Sequence, residues 1–381
     1  MSTECINCHS ENLKEIEGFN QLPRVSSDCR PMGAGGRLAL CLDCGAAQKP
    51  ADAQWREEAK TIYRDYALFN EPNQFEQMIF TESGVAVRRS VKVLNYLLDQ
   101  WQAPDQGRFL DVGSGNGAAL DAFSSLKKSW QLNALDIDNK GLAALSAIPG
   151  FAELYTGDIS AAQGKFDLVT AIHCLEHLEK PYEMLAGIRE RLNPDGRLVI
   201  QVPDHISNPF DLLIADHRSH FSPQILAGIL EASDFDVIIA SDDLLPKEIS
   251  IIARTGTGKK QAPKTIDVAK AEAAIESRVS WLRRLLVSGL EAYNPDRPFG
   301  LFGTSIAATA FASPMIDRVA FFVDEDEQMI GKDWLDRPVL SPDDVPENAI
   351  VFAPMAPLIA QRLADRFRDA PFEVLIPPRL D

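Results

Sequence analysis

The stretch FLDVGSGNG, residues 109–117, constrains the fold of this chain more than any other part of the sequence. A short apolar run leads into Gly113, Gly115 and Gly117, which permit a tight turn, and the following AALDAFSSL carries apolar side chains at helical spacing. This pattern predicts a strand, a glycine turn and a helix. In open α/β sheets such a unit binds nucleotides, because the turn brings backbone N–H groups close to the ligand.

The glycine spacing alone leaves the nucleotide open. Gly113, Gly115 and Ala118 also satisfy the dinucleotide pattern, in which the backbone approaches a pyrophosphate. Asp111, two residues before the turn, would repel a pyrophosphate but attract the ammonium and sulfonium groups of S-adenosylmethionine. We therefore predict S-adenosylmethionine as the cofactor, with an NAD(P)-dependent oxidoreductase and a non-catalytic nucleotide-binding scaffold as the alternatives.

The middle of the chain alternates between strand and helix patterns. After the glycine turn come the apolar segments LNALDI, AELYTGD, FDLVTAI and GRLVIQV, at the spacing of alternating β and α units. A polar loop, a helix and an antiparallel edge strand follow in DHRSHFSPQILAGILEASDFDVIIAS, and helices are expected between Trp55 and Trp101. The predicted fold class is α/β, with a doubly wound, mostly parallel, Rossmann-like core.

Two C-x-x-C pairs near the N-terminus predict a metal site. Cys5, Cys8, Cys41 and Cys44 would supply four thiolates to a structural Zn²⁺ ion, a closed site with no position for a catalytic water. Free thiols are the alternative, because the gap between the two pairs is long for a zinc ribbon.

The last third returns to an α/β pattern. A linker composition over TGTGKKQAPKT precedes a long helical pattern over IDVAKAEAAIESRVSWLRRLLVSGLEAY. PFGLFGTSIAATAF then predicts a strand, a glycine turn and a helix, with further strands in RVAFFVDED and AIVFAP. Gly300 and Gly303 could approach a substrate phosphate; the alternative is a Rossmann-like domain that only closes over the site.

The charge and hydropathy of the sequence limit the kinds of partner that the protein is expected to bind. The chain has 38 Lys and Arg against 55 Asp and Glu, a net charge of −17, and no basic block that would attract nucleic acid. It has no apolar run of membrane-spanning length and no signal-peptide pattern at its start. We expect a cytoplasmic protein with a small-molecule substrate, no nucleic-acid partner and no membrane association; the oligomeric state stays open.

Ligands of open α/β sheets bind beyond the carboxyl ends of the strands. Asp136 would take the ribose hydroxyls, and Asp158 would lie beside an adenine with Ile159 packing on the ring. The predicted cofactor-binding residues are Asp111, Gly113, Gly115, Gly117, Asp136, Ile137, Asp158, Ile159 and His173.

Histidines cluster after the fourth and fifth core strands. His173 and His177, four residues apart, could suggest a metal, but the sequence places no third ligand beside them. Histidine titrates near neutral pH, so proton transfer or substrate hydrogen bonding is the better interpretation. The loop ADHRSHFS adds an acid next to a histidine, and the predicted catalytic residues are His217, His177, Asp216 and His220.

These segments resemble the class I S-adenosylmethionine-dependent methyltransferases. LDVGSGNG, LDID, TGDI, FDLVTAIHCLEHLEKP and NPDGRLVIQVP fall in that family's order and spacing. With the four cysteines and the later FGLFGTS and FFVDED, the chain resembles the three-module sugar C-methyltransferases that act on nucleotide-linked deoxy keto-sugars. The resemblance implies a zinc-binding module over residues 1–54, a methyltransferase domain over 55–254, and a bridging helix with a C-terminal Rossmann-like domain over 255–381.

The resemblance also assigns roles to individual residues. The histidine after the family's fourth strand and the Glu-His pair after its fifth fall on His177, Asp216 and His217, while Ile214 and His220 replace two tyrosines. Loss of those hydroxyls leaves both C-methylation and O-methylation of a sugar-type substrate open. We predict that His217 is the general base, taking a proton from a hydroxyl or from a carbon next to a carbonyl, with Asp216 or His177 orienting the substrate.

Overall fold

The computed structural model describes residues 4–66, 78–80, 86–258 and 261–380. The α-helices of this part are α1 (Ala53–Arg64), α2 (Arg89–Gln100), α3 (Ala118–Leu126), α4 (Leu142–Ser146), α5 (Pro181–Arg191), α6 (Pro223–Ala232), α7 (Val268–Ala292), α8 (Ile306–Ala312) and α9 (Pro357–Arg366). Its strands are β1 (Leu13–Glu15), β2 (Ala39–Cys41), β3 (Ala47–Gln48), β4 (Met78–Phe80), β5 (Ala86–Arg88), β6 (Arg108–Val112), β7 (Gln131–Asp136), β8 (Phe151–Thr156), β9 (Phe166–Ile172), β10 (Leu192–Pro203), β11 (Ser219–His220), β12 (Phe235–Ser241), β13 (Glu248–Thr255), β14 (Phe299–Phe302), β15 (Phe321–Val323), β16 (Asp333–Trp334), β17 (Arg337–Leu340), β18 (Ile350–Phe352) and β19 (Glu373–Leu375). Short 3₁₀ helices are formed by Phe19–Gln21, Ile159–Ala161, Leu175–His177, Pro209–Leu213, Ser313–Arg318 and Pro342–Asp344.

A seven-stranded sheet forms the centre of the molecule, in the order β12-β13-β10-β9-β6-β7-β8. The five strands from β10 to β8 are parallel, and β13 and β12 close one edge in antiparallel orientation. The central strands β6 and β9 are buried along almost their whole length, as expected for parallel strands covered on both faces. This confirms the predicted doubly wound, mostly parallel sheet.

The N-terminal segment joins a second sheet with a strand from the middle of the chain. This sheet has the order β1-β2-β3-β11, and β11 comes from the loop that follows β10. Ser219 and His220 pair antiparallel with Gln48 and Ala47. The cysteine-bearing segment is therefore hydrogen-bonded directly to the loop that carries the predicted catalytic histidines.

The C-terminal part forms a third sheet, in the order β16-β17-β15-β14-β18-β19. All of its strands except β16 are parallel, which agrees with the predicted Rossmann-like domain. Gly303 has a φ of 95° at the turn before α8. Gly300 lies inside β14, where an added Cβ would come within 2.3 Å of the Phe321 ring. The glycine at 300 therefore serves close packing between neighbouring strands.

One apolar core connects three distant parts of the chain. Phe19 of the N-terminal segment, Phe210 after β10, Trp281 of α7 and Phe311 of α8 belong to the same buried cluster. The Phe210 ring packs edge-on against Trp281 at 5.5 Å and against Phe311 at 6.2 Å between ring centroids. The long helix α7 is thus anchored to the N-terminal segment and to the C-terminal sheet by the same side chains.

Two local elements differ from the prediction. Met78–Phe80 and Ala86–Arg88 pair as antiparallel strands in a region expected to be helical; residues 67–77 and 81–85 of that region lie outside the described residues. The strand β13 was also not predicted, although it separates β10 from the expected edge strand β12. Its sequence, EISIIART, alternates between polar and apolar residues only over its first four positions, which is too short a pattern to predict a strand.

Candidate functional site

The glycine turn after β6 has the backbone geometry that its sequence predicts. Gly113, Gly115 and Gly117 have φ values of 72°, 52° and 89°, a region that favours glycine. A Cβ at Gly117 would come within 2.5 Å of Ile148, so this glycine is also needed for packing. The turn leads directly into α3, as in nucleotide-binding sheets.

The acid at the end of β7 is tied to this turn. Asp136 accepts hydrogen bonds from the amides of Gly115 at 2.8 Å and of Ile137 at 2.7 Å. Burial raises the pKa of Asp136, and the two amide donors only partly offset that effect. The Ile137 side chain is 62% exposed, which leaves an apolar surface next to the carboxylate. The structure thus places these two predicted cofactor residues together at one sheet edge.

Three other predicted cofactor residues have contacts within the protein. Asp111 is buried and accepts a hydrogen bond of 2.5 Å from the Thr170 hydroxyl. Asp158 is exposed and caps a short 3₁₀ helix by accepting from the Ser160 amide at 2.7 Å, while the Ile159 side chain is buried in the core. The roles of these residues in binding a cofactor stay predictions.

His173 lies at the end of β9 among charged side chains. Its φ is 50°, unusual for a residue other than glycine. Nδ1 of His173 lies 3.2 Å from Oε1 of Glu176 and Nε2 lies 3.3 Å from Oε2 of Glu248, while Arg89 also contacts Nε2. Burial and the nearby Arg89 charge lower the pKa of His173. The Glu248 charge and the Glu176 hydrogen bond outweigh these two effects and raise the pKa to about 9.

His177 is held by a tyrosine and a buried carboxylate. Nδ1 of His177 lies 3.0 Å from the Tyr63 hydroxyl and 3.3 Å from Oδ2 of Asp216. Asp216 is fully buried and also accepts from the amide and the hydroxyl of Ser27 at 2.9 and 2.6 Å. Burial lowers the pKa of His177, but its hydrogen bond to Asp216 and that charge raise it above its usual value. The imidazolium form of this residue therefore persists to a higher pH than in an ordinary histidine.

His217 is held by a carboxylate that the sequence did not single out. Nδ1 of His217 donates to Oδ1 of Asp211 at 2.6 Å, and Nδ1 of His220 donates to Oδ2 of the same residue at 2.5 Å. Burial raises the pKa of Asp211, but the adjoining His220 and His217 rings outweigh it and keep that pKa well below its usual range. Asp211 is therefore a buried carboxylate that fixes both imidazole rings.

The outer nitrogen of His220 also has a partner. Lys49 donates to Nε2 of His220 at 3.1 Å and to the carbonyl of His217 at 3.1 Å. Burial lowers the pKa of His220 to about 3 and that of Lys49 to about 7. With both ring nitrogens bonded inside the protein, His220 is a neutral, buried support behind His217.

The histidines adjoin the glycine turn. The rings of His177 and His217 pack edge-to-face with their centroids 4.6 Å apart. Cys174, three residues before His177, lies against Gly113, whose added Cβ would come within 3.1 Å of the cysteine Sγ. The predicted catalytic residues His177, Asp216, His217 and His220 therefore form one cluster at the carboxyl edge of the central sheet.

Four further residues of the cluster were missed by sequence reasoning: Asp211, Lys49, Tyr63 and Ser27. Asp211 lies six residues before His217, so a search for acids near the histidine could have found it. Tyr63 and Ser27 come from distant parts of the chain, and nothing in their local sequence marks them. Tyr63 places a hydroxyl beside His177. In the loop itself, Ile214 and His220 occupy the two positions at which the resembled family has tyrosines.

The four N-terminal cysteines are also brought together. All four Sγ atoms lie within 4.8 Å of one another, with 3.5 Å between those of Cys5 and Cys44 and 3.6 Å between those of Cys8 and Cys41. A tetrahedral ion with Zn–S bonds of about 2.3 Å separates its sulfur atoms by about 3.8 Å. The cluster therefore has the size and the donor atoms of a four-thiolate metal site.

The part of the chain that forms most of the central sheet resembles known methyltransferases. Residues 86–239 match a family described as a methyltransferase domain. The chain is 22% identical over 246 residues to the C-methyltransferase NovU of Streptomyces niveus, which covers 62% of this chain and 56% of the relative. It is 25% identical over 146 residues to the mitochondrial ubiquinone biosynthesis O-methyltransferase of Schizosaccharomyces pombe, covering 36% of this chain and 51% of the relative.

These similarities cover only parts of the proteins. The chain spans about half the length of these two curated relatives. Among solved structures, an S-adenosylmethionine-dependent methyltransferase from Clostridium acetobutylicum is 10% identical, covering 53% of this chain and 98% of that chain with a TM-score of 0.37. Family match, sheet order and glycine turn together identify residues 86–239 as a class I S-adenosylmethionine-dependent methyltransferase domain.

Proposed function

We propose that this chain transfers a methyl group from S-adenosylmethionine to an oxygen or a carbon of a small, sugar-type, nucleotide-linked substrate. The observation that carries this proposal is the His217–Asp211 pair, buried beside His177 at the sheet edge that bears the glycine turn. The similarity to one relative named as a C-methyltransferase and another named as an O-methyltransferase supports both kinds of acceptor.

The residues at the turn fit the cofactor. The Asp136 carboxylate suits the ribose hydroxyls, and the exposed Ile137 side chain suits an adenine face. Asp111, Gly113, Gly115 and Gly117 would border the methionine end, and Asp158, Ile159 and His173 complete the proposed set. S-adenosylmethionine, when bound, supplies an electrophilic methyl group.

His217 is the proposed general base. Because Nδ1 donates its proton to Asp211, Nε2 carries the lone pair, and it has no hydrogen-bond partner among the described residues. A base oriented in this way can take the proton from an acceptor hydroxyl, or from a carbon next to a carbonyl, as the acceptor attacks. The ionised Asp211 would stabilise the imidazolium that forms.

His177 is the proposed partner of the base. Its raised pKa favours a charged ring whose Nδ1 is shared by Asp216 and Tyr63. Nε2–H would then donate a hydrogen bond to the substrate oxygen that gains negative charge, which is an alkoxide oxygen in O-methylation or an enolate oxygen in C-methylation. Asp216 and His220 would act by holding these rings, because both are buried and bonded within the protein.

We propose that Cys5, Cys8, Cys41 and Cys44 bind a structural Zn²⁺ ion. Four thiolates saturate a tetrahedral ion, so its role would be to hold the N-terminal segment against β11 and the catalytic loop. The domain boundaries 1–54, 55–254 and 255–381 and a cytoplasmic location remain part of this proposal. No helix in the described part of the chain is long and apolar enough to cross a membrane.

The test is a transfer assay with isotopically labelled S-adenosylmethionine. The full chain would be incubated with a panel of nucleotide-linked sugars and deoxy keto-sugars, and with the same sugars lacking the nucleotide. We expect a methylated product from a nucleotide-linked member, and its NMR spectrum would assign the methyl group to carbon or oxygen. Methylation of the free sugars alone would contradict the nucleotide requirement, and cofactor binding without any sugar methylation would contradict the substrate class.

A further inference from the structure

The catalytic cluster contains a third acidic group that the proposed mechanism does not use. Glu176 is 1% exposed. Burial raises the pKa of its carboxyl, but the hydrogen bond and the charge of the neighbouring His173 outweigh burial, so the pKa lies below the usual value. Oε1 of Glu176 lies 3.2 Å from Nδ1 of His173, whereas Oε2 has no hydrogen-bond partner among the described residues. A buried carboxylate oxygen without a donor is costly, and each such group needs an explanation.

The surroundings of this oxygen suggest what it binds. One ligand atom each from Glu176, His177 and His217 lie within 4.8 Å of one another, and all three side chains are largely or fully buried. Two imidazoles and one carboxylate form a ligand set that suits divalent first-row transition metals. Bonds of about 2.0–2.2 Å would need these atoms about 3–3.5 Å apart, a small inward movement of three side chains.

The hydrogen bonds around the two histidines fit the same interpretation. Metal-ligating histidines usually donate their other ring N–H to a carboxylate, which fixes the tautomer and the ring orientation. Nδ1 of His177 faces Asp216, and Nδ1 of His217 donates to Asp211. In both rings this leaves Nε2, which has no partner among the described residues, as the ligand atom; His177 would release its Nε2 proton to solvent when the ion binds.

We propose that Glu176, His177 and His217 form a second metal site, for a divalent first-row transition ion such as Co²⁺ or Zn²⁺, separate from the four cysteines. A nitrogen lone pair that coordinates a metal cannot accept a proton. Occupation of the site therefore removes the base at His217 and inhibits methyl transfer. This consequence rests on the proposed function, whereas binding of the ion does not.

Binding is tested by calorimetric titration with CoCl₂ of the full chain loaded with only one equivalent of zinc, so that zinc fills the four-cysteine site and leaves the second site free. We expect one further equivalent to bind, without the strong thiolate-to-cobalt absorbance that entry into the cysteine site would produce. Glu176→Gln removes the anionic ligand and should weaken binding at least about tenfold, or about 1.4 kcal/mol. Glu248→Gln is the matched control, because Glu248 is a mostly buried acid that also contacts His173 but lies outside the three ligands. The affinity of this variant for Co²⁺ should stay within about twofold of wild type.

His217→Asn provides a second variant in case Glu176→Gln does not fold, and it should also lose the added equivalent. Absence of a second equivalent in the wild type, or undiminished binding by both Glu176→Gln and His217→Asn, would overturn the proposed site.

The transfer assay, run with the same CoCl₂ concentrations, separates the two proposals. We expect turnover to fall in proportion to occupation of the second site. Cobalt binding without methyl transfer in any sample would contradict the proposed function and leave the site intact. Normal transfer without cobalt binding would contradict the site alone, and normal transfer at full occupation would contradict the claim that the ion removes the base.

Discussion

At the scale of single residues, the pair formed by Asp211 and His217 decides how a proton could move. Replacing His217 with Asn keeps a polar side chain but removes the basic nitrogen. We expect turnover of an identified acceptor to fall about 100-fold or more, while the affinity for S-adenosylmethionine stays unchanged. His9→Asn is the control, because His9 is exposed in the N-terminal segment. Unchanged turnover in His217→Asn would remove this residue from the mechanism.

His173 provides a prediction about pH. Its folded pKa of about 9 lies above the unfolded value of about 6.5, so its ion pairs stabilise the fold fully below pH of about 6.5. This contribution is lost as pH rises through about 9. Urea unfolding at pH values between 6 and 10 should therefore show a stability difference between wild type and His173→Gln that shrinks as pH rises. A difference that is constant or grows with pH would contradict the assigned ion pairs with Glu248 and Glu176.

The residues of the site differ in how far the sequence could predict them. Asp136 is the last residue of β7 and His217 lies in the loop after β10, and both strands have clear apolar patterns, so the sheet topology places the two residues at one edge. Tyr63 and Lys49 reach the cluster only because the N-terminal segment folds against the loop after β10. That contact depends on tertiary packing, and no local pattern in the sequence encodes it.

At the scale of elements, the four-stranded sheet connects the cysteine cluster to the catalytic loop. Cys41 lies at the end of β2, and β3 pairs with His220. Cys41→Ser should abolish stoichiometric zinc and lower the free energy of unfolding by about 3 kcal/mol or more, because metal-binding energy contributes to folding. Metal content by emission spectroscopy and urea unfolding would measure both effects.

Cys29→Ser is the matched control for this variant. Cys29 is partly buried and lies outside the four-thiolate cluster, so its replacement should leave the zinc content unchanged. Full zinc content in Cys41→Ser would contradict a four-thiolate site.

Among the elements, the helices and the parallel strands were the most predictable. β9 covers the same residues as its apolar pattern, FDLVTAI, and α7 falls within the predicted helical stretch. β3 and β11 each have two residues, too few to show a period, and their pairing is set by neighbours far apart in the chain. The short strands therefore depend on the contacts that surround them.

At the scale of the whole molecule, the core around Trp281 joins the N-terminal segment, the catalytic loop and the C-terminal sheet. Trp281 is fully buried, and its indole N–H donates to the Pro378 carbonyl at 2.8 Å. Trp281→Ala should lower the free energy of unfolding by about 3–5 kcal/mol. Val287→Ala, on a half-exposed position of the same helix, should change it by less than about 1 kcal/mol. Similar losses for the two variants in urea unfolding would contradict this core.

The most direct test of the account is calorimetric titration of the purified chain with S-adenosylmethionine. Wild type should bind, and Asp136→Ala should lose at least about 1.4 kcal/mol of binding free energy, a tenfold effect. Asp195→Ala is the control, since Asp195 is exposed near the start of the long strand β10, away from the carboxyl edge. Binding by wild type and the control with loss in Asp136→Ala would establish the cofactor site, and absence of binding by wild type would contradict the central claim.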